Sequence, residues 1–231
     1  MVIGNGLLAS AFKNSFEENN EFVIFAAGVS NSNETKQKAF QREKILLLST
    51  LNKTNKQKFV YFSTCSVKNK ELINSPYVMH KLEIEKIIQN SNVDFLIFRI
   101  SQIVGKTSNL NTLTNYLNSK ILSGENITIF QNAIRNLIDI EDVTKIVTYI
   151  LKEMHINKKI INIASPCYVK IIDLVNTFES ILNKKSLHTL INKGNSYQID
   201  TNLCSKVAKK IGINFDGDYL EKTIRKYYEK S

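Results

Sequence analysis

The sequence predicts an α/β protein built on a doubly wound parallel sheet, and three observations carry that prediction. The apolar runs "EFVIFAAG" from Glu21, "KFVYFST" from Lys58 and "VDFLIFRI" from Val93 are continuous rather than alternating, as strands are when both faces of their sheet are covered. Stretches with helical periodicity separate them, which gives the strand-helix-strand rhythm of parallel sheets. A chain of 231 residues with 43% hydrophobic content can bury a sizeable core, and no Pro/Gly-rich linker or repeat divides it.

Each element follows in order. "MVI" is a minimal strand and "GNG" a turn. "LLASAFKNSFEENN" is a helix with Leu7, Leu8, Ala11, Phe12 and Phe16 apolar. "NETKQKAFQREKILLLSTLNK" is helical by pattern, as is "SPYVMHKLEIEKIIQN", where Val78, Leu82, Ile84, Ile87 and Ile88 supply the apolar face. After Gly105 the character changes to a polar helix at "NTLTNYLNSKILSG" and a short strand at "NITIF". "IRNLIDIEDVTKIVTYILKEM" then begins as a strand and continues as a helix. "KIINIA" reads as one more sheet strand and "SLHTLIN" as a lesser one. Helices are expected near "VKIIDLVNTFESILN", "TNLCSKVAKKIG" and "DYLEKTIRKYYEK". The sheet domain is assigned to residues 1–104 plus 136–164, and a small, closely joined C-terminal lobe to 105–135 plus 165–231.

Composition narrows the classes. No stretch approaches the roughly 20 apolar residues that cross a bilayer, and the start lacks the basic region and apolar run of a secretory signal, so a cytoplasmic protein without membrane contact is expected. Cys65, Cys167 and Cys204 are odd in number and lack CxxC spacing, and His80, His155 and His188 are scattered. Neither a disulfide framework nor a metal site is expected. Lys and Arg exceed Asp and Glu by 31 to 21, but the charge is spread along the chain without interleaved aromatics. It reads as a solvated surface, not a nucleic-acid footprint.

Two small patterns carry chemistry. Gly4, Gly6 and Ala9 form GxGxxA between a strand and a helix, where glycines let a backbone approach a pyrophosphate and the helix N-terminus offers N–H groups to its charge. A turn that merely joins strand to helix has the same sequence. Tyr77 and Lys81 lie four apart and so share a helical face. A fixed ammonium would bring a phenol down from its usual value near 10, and a hydroxyl from "FSTCS" at the end of the preceding strand could orient a substrate oxygen against it. An ordinary amphipathic helix also places Tyr and Lys at that spacing.

Taken together, the glycine turn, the strand ending "AAG", the strand ending "ST", YxxxK a dozen residues on and the strand closing "FRISQIVG" resemble the extended short-chain dehydrogenase/reductase family of nucleotide-sugar epimerases, dehydratases and reductases. "IRNLIDIEDVTKIV", "INIAS" and "QIDTNLCSKVAKKIGINF" are similar to later segments of that family. The resemblance implies a Rossmann-like sheet binding NAD or NADP, a nucleotide-sugar substrate and a homodimer formed through two helices of the sheet domain. It casts Tyr77 as general acid/base, Lys81 as the holder of the nicotinamide ribose and Thr64 as a hydrogen-bond partner of the reacting oxygen. Gly4, Gly6, Leu7 and Leu8 would line the pyrophosphate, with Ala26, Ala27 and Gly28 beside the dinucleotide. Ile100 and Gln102 would lie between nicotinamide and substrate, and Arg135 would meet the substrate diphosphate, for which a guanidinium is suited; a surface ion pair is the other reading of Arg135.

Departures from the family pattern bear on the reading. Ile3 takes the first glycine slot and Ala9 the last. The chain runs from its first helix straight to "EFVIFAAG", so the family's second and third strands, with the residue that reads the adenosine ribose, are expected to be missing. Cys65 and Ser66 stand where the family's dehydratases carry Asp and Glu, which argues against dehydration. The loop from Lys68 to Tyr77 is short, which should reduce one wall of the substrate pocket. The resulting expectation is keto-sugar reduction or C4 epimerisation, with reduction preferred. The alternative is a non-catalytic nucleotide- or sugar-nucleotide-binding protein on the same fold.

Overall fold

The computed structural model describes residues 1–194 and 196–229. The chain divides into two compact units, Met1–Ile100 with Thr144–Ile163 and Ser101–Val143 with Ala164–Ser231.

The first unit opens with β1 (Val2–Ile3), α1 (Leu7–Phe16) and β2 (Phe22–Phe25). Here α1 stops at Phe16, short of the helix expected through Asn20. The Asn19 carboxamide oxygen accepts from the N–H groups of Glu21 and Phe22 and turns the chain into β2, and the Met1 ammonium donates to the carbonyls of Phe16, Asn19 and Phe22. Next come α2 (Gln37–Lys53), β3 (Lys58–Thr64), a 3₁₀ turn (Cys65–Lys68), α3 (Pro76–Gln89) and β4 (Phe95–Ile100). Ser75 starts α3: its hydroxyl accepts from the Val78 N–H at 3.3 Å, and Pro76 at the first helical position has no N–H to leave unsatisfied.

The second unit holds β5 (Gln102–Val104), α4 (Leu113–Ser123), β6 (Ile127–Phe130) and β7 (Ile134–Asp139), and α5 (Ile140–Glu153) carries the chain back to β8 (Lys159–Ile163) of the first unit. It is completed by β9 (Tyr168–Lys170), α6 (Ile171–Leu182), β10 (His188–Ile191), α7 (Asn202–Lys210) and α8 (Tyr219–Tyr228). β5 and β9, three residues each, are too short to show a period and were not expected from the sequence. Among the described residues no helix is long and apolar enough to cross a membrane.

All five strands of the first unit's sheet run parallel, in the order β1-β2-β3-β4-β8. Val23, Phe25, Phe59, Tyr61, Phe95 and Ile97 face α2 and α3, which contribute Leu47, Leu51, Ile84 and Ile88. The alternate residues face the other way: Phe62 stacks on Phe12 of α1 with ring centroids 5.1 Å apart, and Phe22 meets Phe16 edge-on at 5.6 Å. Covering both faces explains why these strands read as unbroken apolar runs.

That arrangement has a topological cost. β1-α1-β2 and β2-α2-β3 step across the sheet in the same direction with their helices on opposite faces, so the two crossovers have opposite hands and cannot both obey the right-handed rule. Strands placed on the far side of β1 would remove the conflict. Instead the two-residue β1 is the sheet edge, and the two strands that the sequence appeared to skip are indeed not in this sheet.

In the second unit β7 pairs β5 in parallel and β9 antiparallel, and β6 pairs β10 in parallel. Leu117, Ile121, Leu137, Leu174, Phe178 and Ile224 form its core. Asp139 ties down α8 by accepting from the Tyr227 hydroxyl at 2.7 Å and the Lys226 ammonium at 2.9 Å.

Candidate active site

In a parallel sheet every strand ends on the same edge, so topology alone gathers the segments that follow Ile3, Phe25, Thr64 and Ile100. Ile3 lies opposite Phe25, and Thr64 opposite Ile100. Gly4, Ala26, Ala27, Gly28, Thr64 and Ile100 thereby share the carboxyl edge, where open sheets of this kind hold ligands.

Gly4 and Gly6 are glycines for different reasons. Gly4 has φ +128°, and a Cβ there would lie 2.5 Å from the Ala26 carbonyl oxygen, so the fold itself demands glycine. Gly6, which precedes α1, has ordinary extended angles, and no atom of the described residues comes within 4 Å of where its Cβ would be. Folding does not explain Gly6. The space its missing side chain leaves lies over the first turn of α1, with Leu7 and Leu8 half-buried beside it, and fits a phosphate group drawn to the free N–H groups of a helix start. Gly6→Val is therefore expected to cost only about 1 kcal/mol, the scale of a poorer N-cap, while losing dinucleotide affinity. Parallel urea unfolding and dinucleotide titration check this; a destabilised variant that binds normally would refute it.

The Thr64 side chain neighbours the Tyr77 phenol and favours its ionised form. Thr64 ends β3, and its Oγ1 accepts from the Ser66 N–H at 3.1 Å, which fixes the rotamer. Tyr77 is buried in the first turn of α3 among Val29, Phe40, Val67 and Val78. Lys81, one turn on, is buried as well, with its Nζ 5.8 Å from the centre of the Tyr77 ring and 2.6 Å from where a Cβ on Gly28 would be. Any side chain at position 28 would displace that ammonium.

The surroundings of Lys81 hold a residue that the sequence reading missed. Glu43, fully buried on α2, accepts from Lys81 Nζ at 3.2 Å, the Tyr61 hydroxyl at 2.7 Å and the Val29 N–H at 2.6 Å, and lies 3.0 Å from His80 Nε2. Lys81 also donates to the Tyr61 oxygen at 2.9 Å. These partners hold the Glu43 carboxyl far below its ordinary value despite its burial. A Glu at an apolar position of α2, facing a His-Lys pair on α3, was the signal available in the sequence.

One expectation is corrected here. Lys81 was expected to bring the Tyr77 phenol down, but the phenol is instead raised, first by burial and then by the Glu43 carboxylate, with only the Thr64 side chain opposing. The ammonium is paired with Glu43, 3.2 Å away.

A second buried pair stiffens the same edge. Arg99 on β4 grips Glu85 of α3 with Nε at 2.9 Å and Nη2 at 2.5 Å, and Glu85 also accepts from the Ser63 hydroxyl at 2.5 Å. Next to Thr64, the Cys65 thiol donates to the Arg99 carbonyl at 3.1 Å. In the second unit, exposed Gln102 lies opposite Leu137, two residues along β7 from half-buried Arg135, whose Nη1 donates to the Ile134 carbonyl at 3.0 Å. Those two residues share one sheet.

The parallel sheet, its helix-covered faces and the glycine bend define a Rossmann-like α/β protein. A model of the NAD-dependent epimerase/dehydratase family matches residues 4–164, and the chain belongs to that family. UDP-glucuronic acid 4-epimerase from Bacillus cereus, solved with UDP-glucuronic acid and NAD, superposes with a TM-score of 0.72 at 18% identity over 98% of this chain and 87% of that one. UDP-N-acetylglucosamine 4-epimerase from Methanobrevibacter ruminantium M1 gives 0.70 at 19%, over 96% and 79%. RMD from Pseudomonas aeruginosa, solved with NADPH, gives 0.68 at 16%, over 96% and 86%. At such identities the likeness is one of fold. No curated protein matches the chain.

Proposed function

We propose that this protein is an NAD- or NADP-dependent enzyme that modifies a nucleotide-activated sugar, with Tyr77 as general acid/base. The observation that carries the reading is the Tyr77 phenol beside Thr64 at the carboxyl edge of a parallel sheet, one helical turn from a lysine lodged against Gly28. Support for a nucleotide sugar comes from family membership and from the UDP-sugars named with several of the similar structures.

In this reading Gly4, Gly6, Leu7 and Leu8 hold the pyrophosphate, Ala26, Ala27, Gly28 and Ile100 flank the dinucleotide, and Lys81 reaches a ribose hydroxyl. Two of the three Lys81 protons are spent on Glu43 and Tyr61, which leaves one for that contact. The nicotinamide, when bound, supplies or accepts the hydride. Thr64 and Tyr77 orient the reacting sugar oxygen.

The raised phenol refines the direction. A Tyr77 that keeps its proton at neutral pH suits donation to a ketone oxygen, which supports keto-sugar reduction over the opening step of epimerisation, where a phenolate must take a proton. The Cys65 thiol, turned to the Arg99 carbonyl, is in no position to act as the acid of a dehydratase.

One observation favours the rival binding-protein reading: Lys81 is already neutralised by Glu43. Two measurements separate them. Thermal melts with NAD or NADP at millimolar concentration are expected to shift upward with at least one, since a ligand that binds only the folded state stabilises it. A flat response to both would end the dinucleotide assignment. Oxidation of NADH or NADPH driven by a UDP-4-keto sugar would identify the reductase, and interconversion of UDP-sugar C4 epimers without added cofactor would replace it with the epimerase.

A further inference from the structure

We infer that Glu43 is a positioning residue for the Thr64–Tyr77–Lys81 set: its carboxylate anchors the Lys81 ammonium, pins the Gly28–Val29 segment and sets the charge around Tyr77. The inference rests on the reading of Tyr77 and Lys81 as the reactive pair.

The geometry is that of a hub. Oε1 receives Tyr61 from β3 and Lys81 from α3, and Oε2 receives the Val29 N–H and faces His80 Nε2. A carboxylate only accepts, so His80 must present Nε2–H to it. Phe40, one turn earlier on α2, stacks on the His80 ring with centroids 4.6 Å apart and holds it in place. Two elements and a loop therefore converge on one side chain of α2. Without the carboxylate, Lys81, Tyr61, His80 and the Val29 N–H would all lose an acceptor in a site closed to water.

Packing alone does not account for such a hub. A well-packed apolar residue commonly serves stability as well as a buried ion pair does, and four donors are not needed to fill space. What the hub does supply is control of charge. The groups facing Tyr77 are Thr64 from β3, Lys81 from its own helix and Glu43 from α2, with Tyr61 coupled to the same cluster. Within that group the Glu43 carboxylate is the charge that acts on the phenol, disfavouring phenolate in the same direction as the larger effect of burial.

The test follows Tyr77 by ¹³C NMR in tyrosine-labelled protein, without nucleotide; of the nine tyrosine signals, the one lost in Tyr77→Phe is its own. In wild type the Cζ resonance is expected to stay that of a phenol up to alkaline unfolding. In Glu43→Gln burial still holds the phenol up, but ionisation is expected to begin at lower pH than in wild type, because the opposing charge is gone while Lys81 remains. In Glu43→Asp, which keeps the charge, it is expected to stay unionised. A merely structural role would lower the melting temperature in both variants and leave Tyr77 where it was, which overturns the proposal. If Glu43→Gln does not fold, wild type decides: the Glu43 carboxyl carbon should remain that of a carboxylate through the ordinary Glu range, and protonation within that range overturns it. Dinucleotide binding is measured separately, so wild type that binds neither NAD nor NADP refutes the enzyme reading and leaves the titration result standing on its own.

Discussion

Tyr77→Phe is expected to cut turnover by a factor of about 100 or more, the scale of a lost general acid/base, with dinucleotide affinity nearly unchanged. The substitution removes one hydroxyl and keeps the ring that packs against Val29, Phe40, Val67 and Val78. Its neighbour Thr64 still accepts from the Ser66 N–H, so the stability cost should not exceed that of one hydrogen bond, about 1 kcal/mol. Stability near wild type with turnover collapsed is therefore the expected signature. Single-turnover hydride transfer measured beside urea unfolding checks both halves. Wild-type turnover would remove Tyr77 from the chemistry, and a large loss of stability would recast it as a structural residue.

Lys81→Met should have the largest effect on folding. The ion pair with Glu43 is almost wholly shielded, its side chains 3% and 0% exposed, and removing one member of a buried pair leaves the other charge uncompensated. Such losses run to about 3–5 kcal/mol. Glu43 would keep Tyr61, His80 and the Val29 N–H, which places the expected loss near the lower end, still a large share of a typical domain's stability.

The pH dependence gives this prediction its second arm. In wild type the Glu43 carboxyl is depressed, so its contribution to stability is present above the unfolded value of 4.5 and fades only as pH falls towards the lower folded value. In Lys81→Met the cation that depressed it is gone and burial pushes the carboxyl up. Protonation then relieves the buried charge as pH is lowered. The stability gap between variant and wild type should narrow from pH 7 to pH 5 in urea unfolding. A gap that is constant with pH, or below about 1 kcal/mol throughout, would mean that Glu43 and Lys81 are not coupled as the distances imply.

Much of the fold was legible because its signals are local. Continuous runs such as "KFVYFST" and "DFLIFRI" mark strands covered on both faces, and Ser75-Pro76 marks the start of α3. Elements whose existence depends on a partner were not legible. β5 and β9 are three residues long and are held by the ladder of β7 rather than by their own pattern. The end of α1 was misjudged because a single Asn19 carboxamide, and not a break in periodicity, turns the chain.

The candidate site divides in the same way. Thr64, Tyr77 and Lys81 could be named from spacing and order, and the parallel sheet brings them together with Gly28. Their electrostatics could not. The sequence places Lys81 one turn from Tyr77 but does not join it to Glu43, which lies 38 positions from that lysine and reaches it only when α2 and α3 pack on the same face of the sheet. By itself, then, the sequence determined which residues stand at a strand end and share a helical turn, because strand ends and helical turns are set by neighbours along the chain. Only the tertiary structure decided the charged surroundings of Tyr77, because Coulomb interactions and loss of water depend on distance through space, and those distances exist only after the chain has folded.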